Sequence, residues 1–344
     1  MAEEKTFIQV VKQLIRLVWT LLLCVIASTA LWVSHALGVF TLTPEEHPLM
    51  AAAGKRSPSP LAQAVWQAPD TASIPANQQG ELIRYGRELI AHTAVYLGPK
   101  GKVKSSSNGM NCQNCHLKAG TVPFGNNYGA VASSYPKFRS RSGAVEGFEK
   151  RVNDCIERSL NGEKLEQDSP EMQAMVAYLQ WVGKEVKKGE TPAGFGLVEL
   201  ELLDRPADPQ RGALVYAQYC ARCHGEKGEG EMGESGLEWK YPPLYGEHSY
   251  NMGAGLYRLS RFAAYVKANM PYGVSFENPF LTDEEAWDVA AYVNSMPRPT
   301  KDFSADWPDI SKKPFDHPFG PYADPFSQQQ HKYGPFEPIK AAYQ

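Results

Sequence analysis

One pattern of apolar and polar positions occurs twice along the chain. Its first copy has apolar residues at helical spacing in 81–90 and again in 170–181. Its second copy has the same spacing in 209–219 and in 281–293. The strict alternation that is typical of a half-buried strand is weak throughout. The pattern therefore predicts an all-α protein with an internal duplication of one helical unit.

A further apolar stretch, near the amino terminus, has a different character. The run 17–40 contains no Lys, Arg, Asp or Glu, and as a helix it would extend roughly 36 Å, enough to span a bilayer. Lys5, Lys12 and Arg16 precede it, which predicts a single-pass anchor in the inner membrane, with everything after residue 40 in the periplasm. The alternative is a cleaved signal peptide, with a small-residue cleavage site at 51–53 and a soluble periplasmic product.

Composition and charge limit the class of protein to which the rest of the chain can belong. The 344 residues are 43% hydrophobic with a formal net charge of −3, which suits two or three small globular units and gives no basic excess for nucleic acid. The last stretch has nine prolines and nine aromatic residues, which predicts an extended tail that wraps over the domains with its rings in surface grooves. The predicted parts are a cytoplasmic start and transmembrane anchor at 1–40, a linker at 41–76, a first domain at 77–186, a linker at 187–207, a second domain at 208–296 and the wrapping tail at 297–344.

Four of the six cysteines fall in two CxxCH motifs, one in each copy of the helical unit. CxxCH attaches haem c: two thiols add to the vinyl groups, and the adjacent histidine becomes the proximal iron ligand. Zinc ribbons place their cysteine pairs much closer together, and a thioredoxin-like CxxC needs a βαβ context. The sequence therefore predicts two covalently bound haem c groups in tandem class I cytochrome c domains. The predicted attachment cysteines are Cys112, Cys115, Cys220 and Cys223, and the predicted proximal ligands are His116 and His224.

Each haem iron also needs a sixth ligand or an open site. In the second unit Met270 precedes Pro271 on the loop ahead of the closing helix, where small cytochromes c carry a distal methionine, and Met232 and Met252 are the alternatives. In the first unit Cys155 occupies the corresponding place. As a thiolate it would lower the potential of the iron, and it would be a sulfur nucleophile if it left the metal. The competing interpretation of Cys155 is a small buried apolar thiol.

The chain around Cys155 is locally basic. Its cations are Lys137, Arg139, Arg141, Lys150 and Arg151. Arginine offers forked donors to sulfonate-like oxygens, so this cluster beside a reactive sulfur suggests an oxyanion site. A solvated face, or a set of partners for haem propionates, is the alternative.

Several longer motifs match those of one known family. They are Asn111-Cys-Gln-Asn-Cys-His116, the block 151–162 around Cys155, Tyr241-Pro-Pro-Leu-Tyr-Gly246, Asn251-Met-Gly-Ala-Gly255, Ala268-Asn-Met-Pro271 and Gly334-Pro-Phe-Glu-Pro-Ile339. Over 78–340 the chain resembles the thiosulfate dehydrogenases, the tetrathionate-forming dihaem cytochromes c. The resemblance implies that the haem ligated by Cys155 is the active-site haem and that the haem ligated by Met270 is the electron exit.

The same resemblance implies a set of substrate-handling residues. Arg141, Arg151 and Ser159 fall where the family holds thiosulfate, and with Cys155 they make up the implied catalytic set. Some members carry a lysine immediately before the distal methionine, where this chain has Asn269, so a ligand switch that depends on that lysine is in doubt. The predicted membrane anchor is also not general in the family.

The predicted function is oxidation of two thiosulfates to tetrathionate. Electrons would pass from the Cys/His haem to the Met/His haem and on to an external acceptor such as a soluble cytochrome c or a membrane oxidase. Tetrathionate reduction, the reverse reaction, would use the same residues. The alternatives are a non-catalytic, membrane-anchored dihaem electron-transfer cytochrome and a sulfur-carrier cytochrome subunit, neither of which would form tetrathionate by itself.

Overall fold

The computed structural model describes residues 12–26, 28–29, 65–302 and 304–343. Residues 12–26 are helical. Within the described ranges, no helix combines the length and the hydropathy that crossing a membrane requires. The rest of the predicted anchor, at 27 and 30–40, and the predicted linker up to residue 64 lie outside the described residues.

The first helical unit follows a single 3-10 turn at Thr71–Ser73. Its helices are Gln78–Ala91 (α1), Thr93–Leu97 (α2), Cys112–Cys115 (α3), Leu117–Gly120 (α4), Val131–Ser134 (α5), Phe148–Ser159 (α6) and Pro170–Val182 (α7). Asn77 begins α1 by accepting a hydrogen bond from the Gly80 amide at 3.0 Å, and Ser169 caps α7 in the same way. These caps satisfy amides that have no partner inside the helix.

The second unit has a similar order of elements. Its helices are Pro209–Tyr219 (α8), Ala221–His224 (α9), Leu259–Asn269 (α10) and Asp283–Ser295 (α11), with a 3-10 turn at Gly255–Tyr257. Asp208 caps α8 by accepting from the Gln210 amide at 2.8 Å. Helix α11 begins with a capping box, in which Thr282 and Glu285 each accept from the other's backbone amide.

In each unit the first and last helices cross at a glycine. A Cβ added to Gly86 in α1 would lie 1.9 Å from the carbonyl oxygen of Ala174 in α7. A Cβ added to Gly212 in α8 would lie 1.9 Å from the carbonyl oxygen of Asp288 in α11. Only glycine permits so close an approach of two backbones. Its presence at both crossings agrees with the predicted internal duplication.

Two short antiparallel hairpins interrupt the helices. Strand Lys137–Arg139 (β1) pairs with Ala144–Glu146 (β2), and Glu231–Met232 (β3) pairs with Trp239–Tyr241 (β4). Strands of two or three residues are too short to show an alternating pattern, so the sequence did not predict these strands. The first hairpin has Arg141 in its turn, between β1 and β2.

The second unit caps the helix that carries Cys155. Asn251 donates its backbone amide to the carbonyl of Arg158 at 3.0 Å and its side-chain amide to the carbonyl of Glu157 at 2.8 Å. These carbonyls belong to the last turn of α6, where no later residue of the helix can satisfy them. Asn161, just beyond the helix, donates to the carbonyl of Ser249 at 2.7 Å. The second unit therefore fixes the end of α6.

The tail carries the 3-10 turn Ile310–Lys312 and the helices Gln328–Tyr333 (α12) and Glu337–Ala342 (α13). Trp307 is buried, and Phe336 and Ile339 are part of the core of the second unit. Its buried rings agree with the predicted wrapping tail, whereas its short helices were not predicted. Both helical units and the tail, within 65–343, belong to one compact body, so the predicted domain boundaries remain predictions.

Candidate functional site

The first unit contains a cavity built around its CxxCH motif. Cys112, Cys115 and His116 line it, and Cys155 faces it from α6. The Nδ1 atom of His116 lies 2.5 Å from the carbonyl oxygen of Asn126. Burial lowers the pKa of His116 to about 4. The ring is therefore neutral, and a hydrogen bond from Nδ1 to that carbonyl leaves Nε2 free to bind a metal.

A second cavity surrounds the other CxxCH motif. Cys220, Cys223, His224 and Met270 line it, and the Nδ1 atom of His224 lies 2.8 Å from the carbonyl oxygen of Pro242. The two cavities measure about 320 and 420 Å³, and their walls are mainly apolar. Paired thiols, a histidine with a free Nε2 and an apolar slot of this size fit a covalently attached haem in each unit.

Of the three candidate methionines for the second haem, one lines the second cavity. Met270 ends α10 and lines the cavity with His224, as does Met110 from the first unit. Met232 lies on β3 with 39% of its surface exposed, and neither it nor Met252 belongs to the described lining. Met270, on the predicted loop, is thus the candidate that lines the same cavity as His224. Its role as iron ligand stays a prediction.

Asn269, immediately before Met270, is buried, and its side chain is hydrogen-bonded. Its side-chain amide donates to the carbonyl of Phe124 in the first unit at 3.1 Å and to the carbonyl of Tyr265 at 3.0 Å. Asn269 therefore links the second unit to the first.

Helix α6 presents three of the predicted residues on one face. Arg151, Cys155 and Ser159 are spaced by four, so their side chains follow one another along the helix. The Nη1 atom of Arg151 donates to the Sγ atom of Cys155 at 3.1 Å. The charge of the Cys155 sulfur raises the pKa of Arg151, so its guanidinium remains protonated beside the sulfur.

Arginines dominate a third cavity, of about 270 Å³, which shares the wall of Cys115, His116 and Cys155. Its arginines are Arg139, Arg141, Arg151, Arg158, Arg258 and Arg261. The sequence predicted the first three and missed the others. Arg158 is on the predicted helix, but Arg258 and Arg261 come from the second unit, and no local pattern connects them with Cys155. Lys150 pairs with Asp154, and Lys137 lines the haem cavity instead.

Carboxylates neutralise some of these arginines. Arg158 makes a two-pronged pair with Asp306 at 2.7 and 2.8 Å. Arg258 Nε donates to Asp316 at 2.7 Å. Glu146 lies 4.0 Å from Arg139. These partners hold three of the six guanidinium groups, at different distances.

Arg141 has no carboxylate partner within the part of the chain that the structure describes. Burial lowers its pKa to about 10, and the nearby Arg158 and Arg151 act in the same direction. It is still protonated at neutral pH. Its charge is therefore available to an anion in the cavity.

Three of the arginines also face the haem cavity of the first unit. Arg139 and Arg261 line both cavities, as does Arg151, whereas Arg141 lines only the arginine cavity and a small neighbouring recess. Arg139 and Arg261 therefore suit haem propionates, and Arg141 suits a separate anion.

The two haem cavities share part of their wall. Met110, Asn111 and Cys115 line both of them. Asn111 also donates to Glu238 of the second unit at 3.0 Å, which ties the two units together at this point. Groups bound in the two cavities would be separated by little more than these side chains.

The family comparisons agree with this division of the chain. Residues 102–187 match the SoxA/TsdA cytochrome c domain, and residues 207–293 match cytochrome C oxidase, cbb3-type, subunit III. The prediction of two cytochrome c domains, with two covalently bound haem c groups, is confirmed.

Whole proteins that resemble the chain are thiosulfate dehydrogenases. That of Psychrobacter arcticus is 34% identical over 70% of this chain and 71% of its own, and that of Allochromatium vinosum is 36% identical over 67% and 83%. The solved thiosulfate dehydrogenase (TsdBA) of Marichromatium purpuratum, in its as-isolated form, matches with a TM-score of 0.64 and 32% identity. That match covers 70% of this chain and 51% of the solved chain, so the present chain spans about half its length. With this identity across most of the curated relatives' length, the chain belongs to the thiosulfate dehydrogenase family.

Proposed function

We propose that this protein oxidises thiosulfate to tetrathionate, joining two thiosulfates through their outer sulfur atoms as two electrons leave. The observation that carries the proposal is a cysteine sulfur 3.1 Å from a guanidinium, in a cavity lined by six arginines. A non-catalytic electron-transfer cytochrome has no use for that arrangement. The two curated relatives described above bear the name thiosulfate dehydrogenase, which supports the same reaction.

The arginines offset the charge repulsion between the two substrate anions. Two thiosulfate dianions repel each other, and a cavity that brings them together has to supply compensating charge and orientation. Arg141 and Arg151 have guanidinium groups that sulfonate oxygens can meet with paired hydrogen bonds. Ser159 adds a hydroxyl on the same helix face as Cys155. These residues are proposed to hold the sulfonate ends and to leave the outer sulfurs near Cys155.

Cys155 is proposed to act as the sulfur nucleophile. Its thiolate forms an S–S bond with the outer sulfur of one thiosulfate, and two electrons leave in this step. The outer sulfur of a second thiosulfate then attacks the sulfur bound to Cys155, which forms tetrathionate and releases the Cys155 thiolate. Splitting the coupling in this way keeps the two dianions from having to react directly. The reverse sequence would reduce tetrathionate.

The bound haems supply one-electron acceptors for the electrons that leave. The wall shared by the two cavities supports transfer from the first unit to the second. Proposed ligation by Cys155 and His116 in the first unit, and by His224 and Met270 in the second, would make this transfer downhill. The electrons would then leave to an external acceptor such as a soluble cytochrome c or a membrane oxidase.

The proposal is tested by mixing thiosulfate with the purified full-length protein. We expect reduced-haem absorption bands to appear, and tetrathionate to accumulate when an artificial electron acceptor is added. Reduction of the same sample by dithionite shows that both haems are present and reducible. If dithionite reduces the haems and thiosulfate neither reduces them nor yields tetrathionate, the catalytic proposal fails and a carrier or electron-transfer role takes its place.

We also propose that the chain is held at the inner membrane with its cytochrome domains in the periplasm. The support is the uncharged run 17–40 and the cations that precede it. The protein should remain in the membrane pellet after carbonate extraction, and a variant without 17–40 that is given a cleavable export signal should be soluble. Soluble periplasmic protein with an amino terminus near residue 54 would instead show a cleaved signal peptide.

A further inference from the structure

The carboxy-terminal tail forms part of the arginine cavity's support. Asp306 pairs with Arg158 and Asp316 with Arg258, so both tail carboxylates hold arginines of the cavity. The segment 306–317 therefore packs against arginines of this cavity. Between the two aspartates lies Trp307, which contacts Arg141, one of the cavity arginines that have no carboxylate partner among the described residues.

Trp307 contacts Arg141 through both its backbone and its ring. The Trp307 amide donates to the carbonyl oxygen of Arg141 at 2.7 Å. The guanidinium carbon of Arg141 lies 5.9 Å from the centre of the indole ring, within the range of a cation–π interaction. The next residue, Pro308, fills the space above Gly143, where an added Cβ would come within 2.7 Å of it. The tail thus fits closely over the turn that carries Arg141.

The backbone of Trp307 has an unusual conformation. Its φ is +60°, in the left-handed region that a bulky residue rarely adopts. Such a conformation is strained and persists only where the surrounding structure imposes it. The hydrogen bond from Trp307 to Arg141 and the packing of Pro308 on Gly143 are the contacts that surround this backbone.

A hydrogen-bonded histidine fixes the orientation of the indole. The indole N–H of Trp307 donates to Nε2 of His317 at 3.2 Å. Since an indole can only donate, Nε2 must accept, and the proton of His317 is on Nδ1, which lies 3.1 Å from the carbonyl oxygen of Phe319. Burial lowers the pKa of His317 to about 4, which agrees with a neutral ring. The indole therefore has a fixed hydrogen-bond partner in His317.

We propose that Trp307 is a positioning residue for substrate, which acts by holding the guanidinium of Arg141 toward the anion in the arginine cavity. This inference rests on the proposed function for the identity of the anion. His317 supports it by fixing the ring, and the paired Arg158 and Arg258 leave Arg141 as the guanidinium whose direction depends on an aromatic contact. Trp307 itself does not need to touch the substrate.

A double-mutant cycle on the full-length holoprotein tests this inference. We expect Trp307→Leu to weaken thiosulfate binding, measured by titration calorimetry, by about tenfold, which corresponds to ~1.4 kcal/mol. In an Arg141→Ala background the same change should alter the Kd less than twofold, because the group that Trp307 positions is already absent. Trp307→Phe keeps an aromatic face and should stay within about threefold of the parent.

His317→Phe is a milder second variant, which removes only the acceptor for the indole and should weaken binding about threefold. Tyr343→Phe is the matched control, since it removes a tail hydrogen bond to Asp324 far along the chain and should leave the Kd unchanged. Equal weakening by Trp307→Leu in the parent and in Arg141→Ala would overturn the positioning role. If the parent binds thiosulfate without oxidising it, the proposed function is refuted. The double-mutant cycle would then still decide whether Trp307 positions Arg141. A parent that binds no thiosulfate would overturn both.

Discussion

Replacing Cys155 with alanine should remove catalytic activity while the fold and the haem content stay unchanged. The substitution keeps the Cβ atom and a good helix-forming residue in the interior of α6, where alanine is favoured over cysteine by roughly 0.5 kcal/mol. The side chain is only partly buried and lines a cavity, so little packing is lost. We therefore expect the free energy of unfolding to change by less than about 1 kcal/mol, and both haems to remain attached.

The effect on catalysis should be far larger. Without the sulfur, Arg151 loses the partner that lies 3.1 Å away, and the covalent half of the coupling is removed. Arg141 and Arg151 can still attract thiosulfate, so binding should weaken less than turnover. Because nucleophile and charge act as a unit, we expect turnover to fall by at least about 10³-fold, which is ~4 kcal/mol in the barrier.

The assay follows thiosulfate-dependent reduction of an artificial acceptor, with tetrathionate measured as the product. The thiolate signature of the ferric absorption spectrum should disappear in the same variant. Cys24→Ala is the matched control, since Cys24 is the other cysteine outside the haem motifs, and it should behave as the parent does. If Cys155→Ala oxidises thiosulfate within tenfold of the parent rate, the cysteine is only a packed thiol and the reaction has another site.

Three further predictions concern the rest of the site. Met270→Gly should abolish the weak near-infrared band of methionine-ligated ferric haem, and its persistence would assign the ligand to another residue. Arg141→Ala and Arg151→Ala should each weaken kcat/KM by about 1.5–3 kcal/mol and keep the thiolate signature, so a parent-like kcat/KM would exclude substrate contact. Burial alone would raise the pKa of Asp316, but Arg258 and hydrogen bonds outweigh burial and hold it below its usual range. Asp316→Asn should therefore destabilise the protein by about 3 kcal/mol at neutral pH in urea unfolding, and the difference from the parent should disappear as pH falls below about 4; a pH-independent difference would contradict this.

The sequence predicted those parts of the site that a short motif encodes. CxxCH contains both the attachment thiols and the proximal histidine, so each haem cavity could be assigned from five consecutive residues. Cys155 stood out because every other cysteine after residue 40 is in such a motif. Its neighbours Arg151 and Ser159 lie at helical spacing, which puts all three on one face of α6.

The remaining arginines could not be found in this way. Arg258 and Arg261 reach the cavity only because the second unit packs on the first, and nothing in their local sequence relates them to Cys155. The pairing of Arg158 with Asp306 joins residues that are 148 positions apart in the sequence. Such long-range contacts depend on how the units dock, and hydrophobic periodicity carries no information about docking. The short hairpin around Arg141 was missed for the simpler reason that three residues show no period.

The arginines of the arginine cavity and the carboxylates that pair with them come from three distant stretches of chain, at 139–158, 258–261 and 306–316. Both haem motifs precede the last of these stretches along the chain. A chain cut short before residue 306 would still contain every attachment cysteine and would stain as a dihaem cytochrome. It would lack Asp306, Trp307 and Asp316, and Arg158 and Arg258 would be left without their acids. Haem content alone therefore cannot report that a preparation is complete, since the arginines near Cys155 acquire all their acidic partners only when residues 306–316 are present.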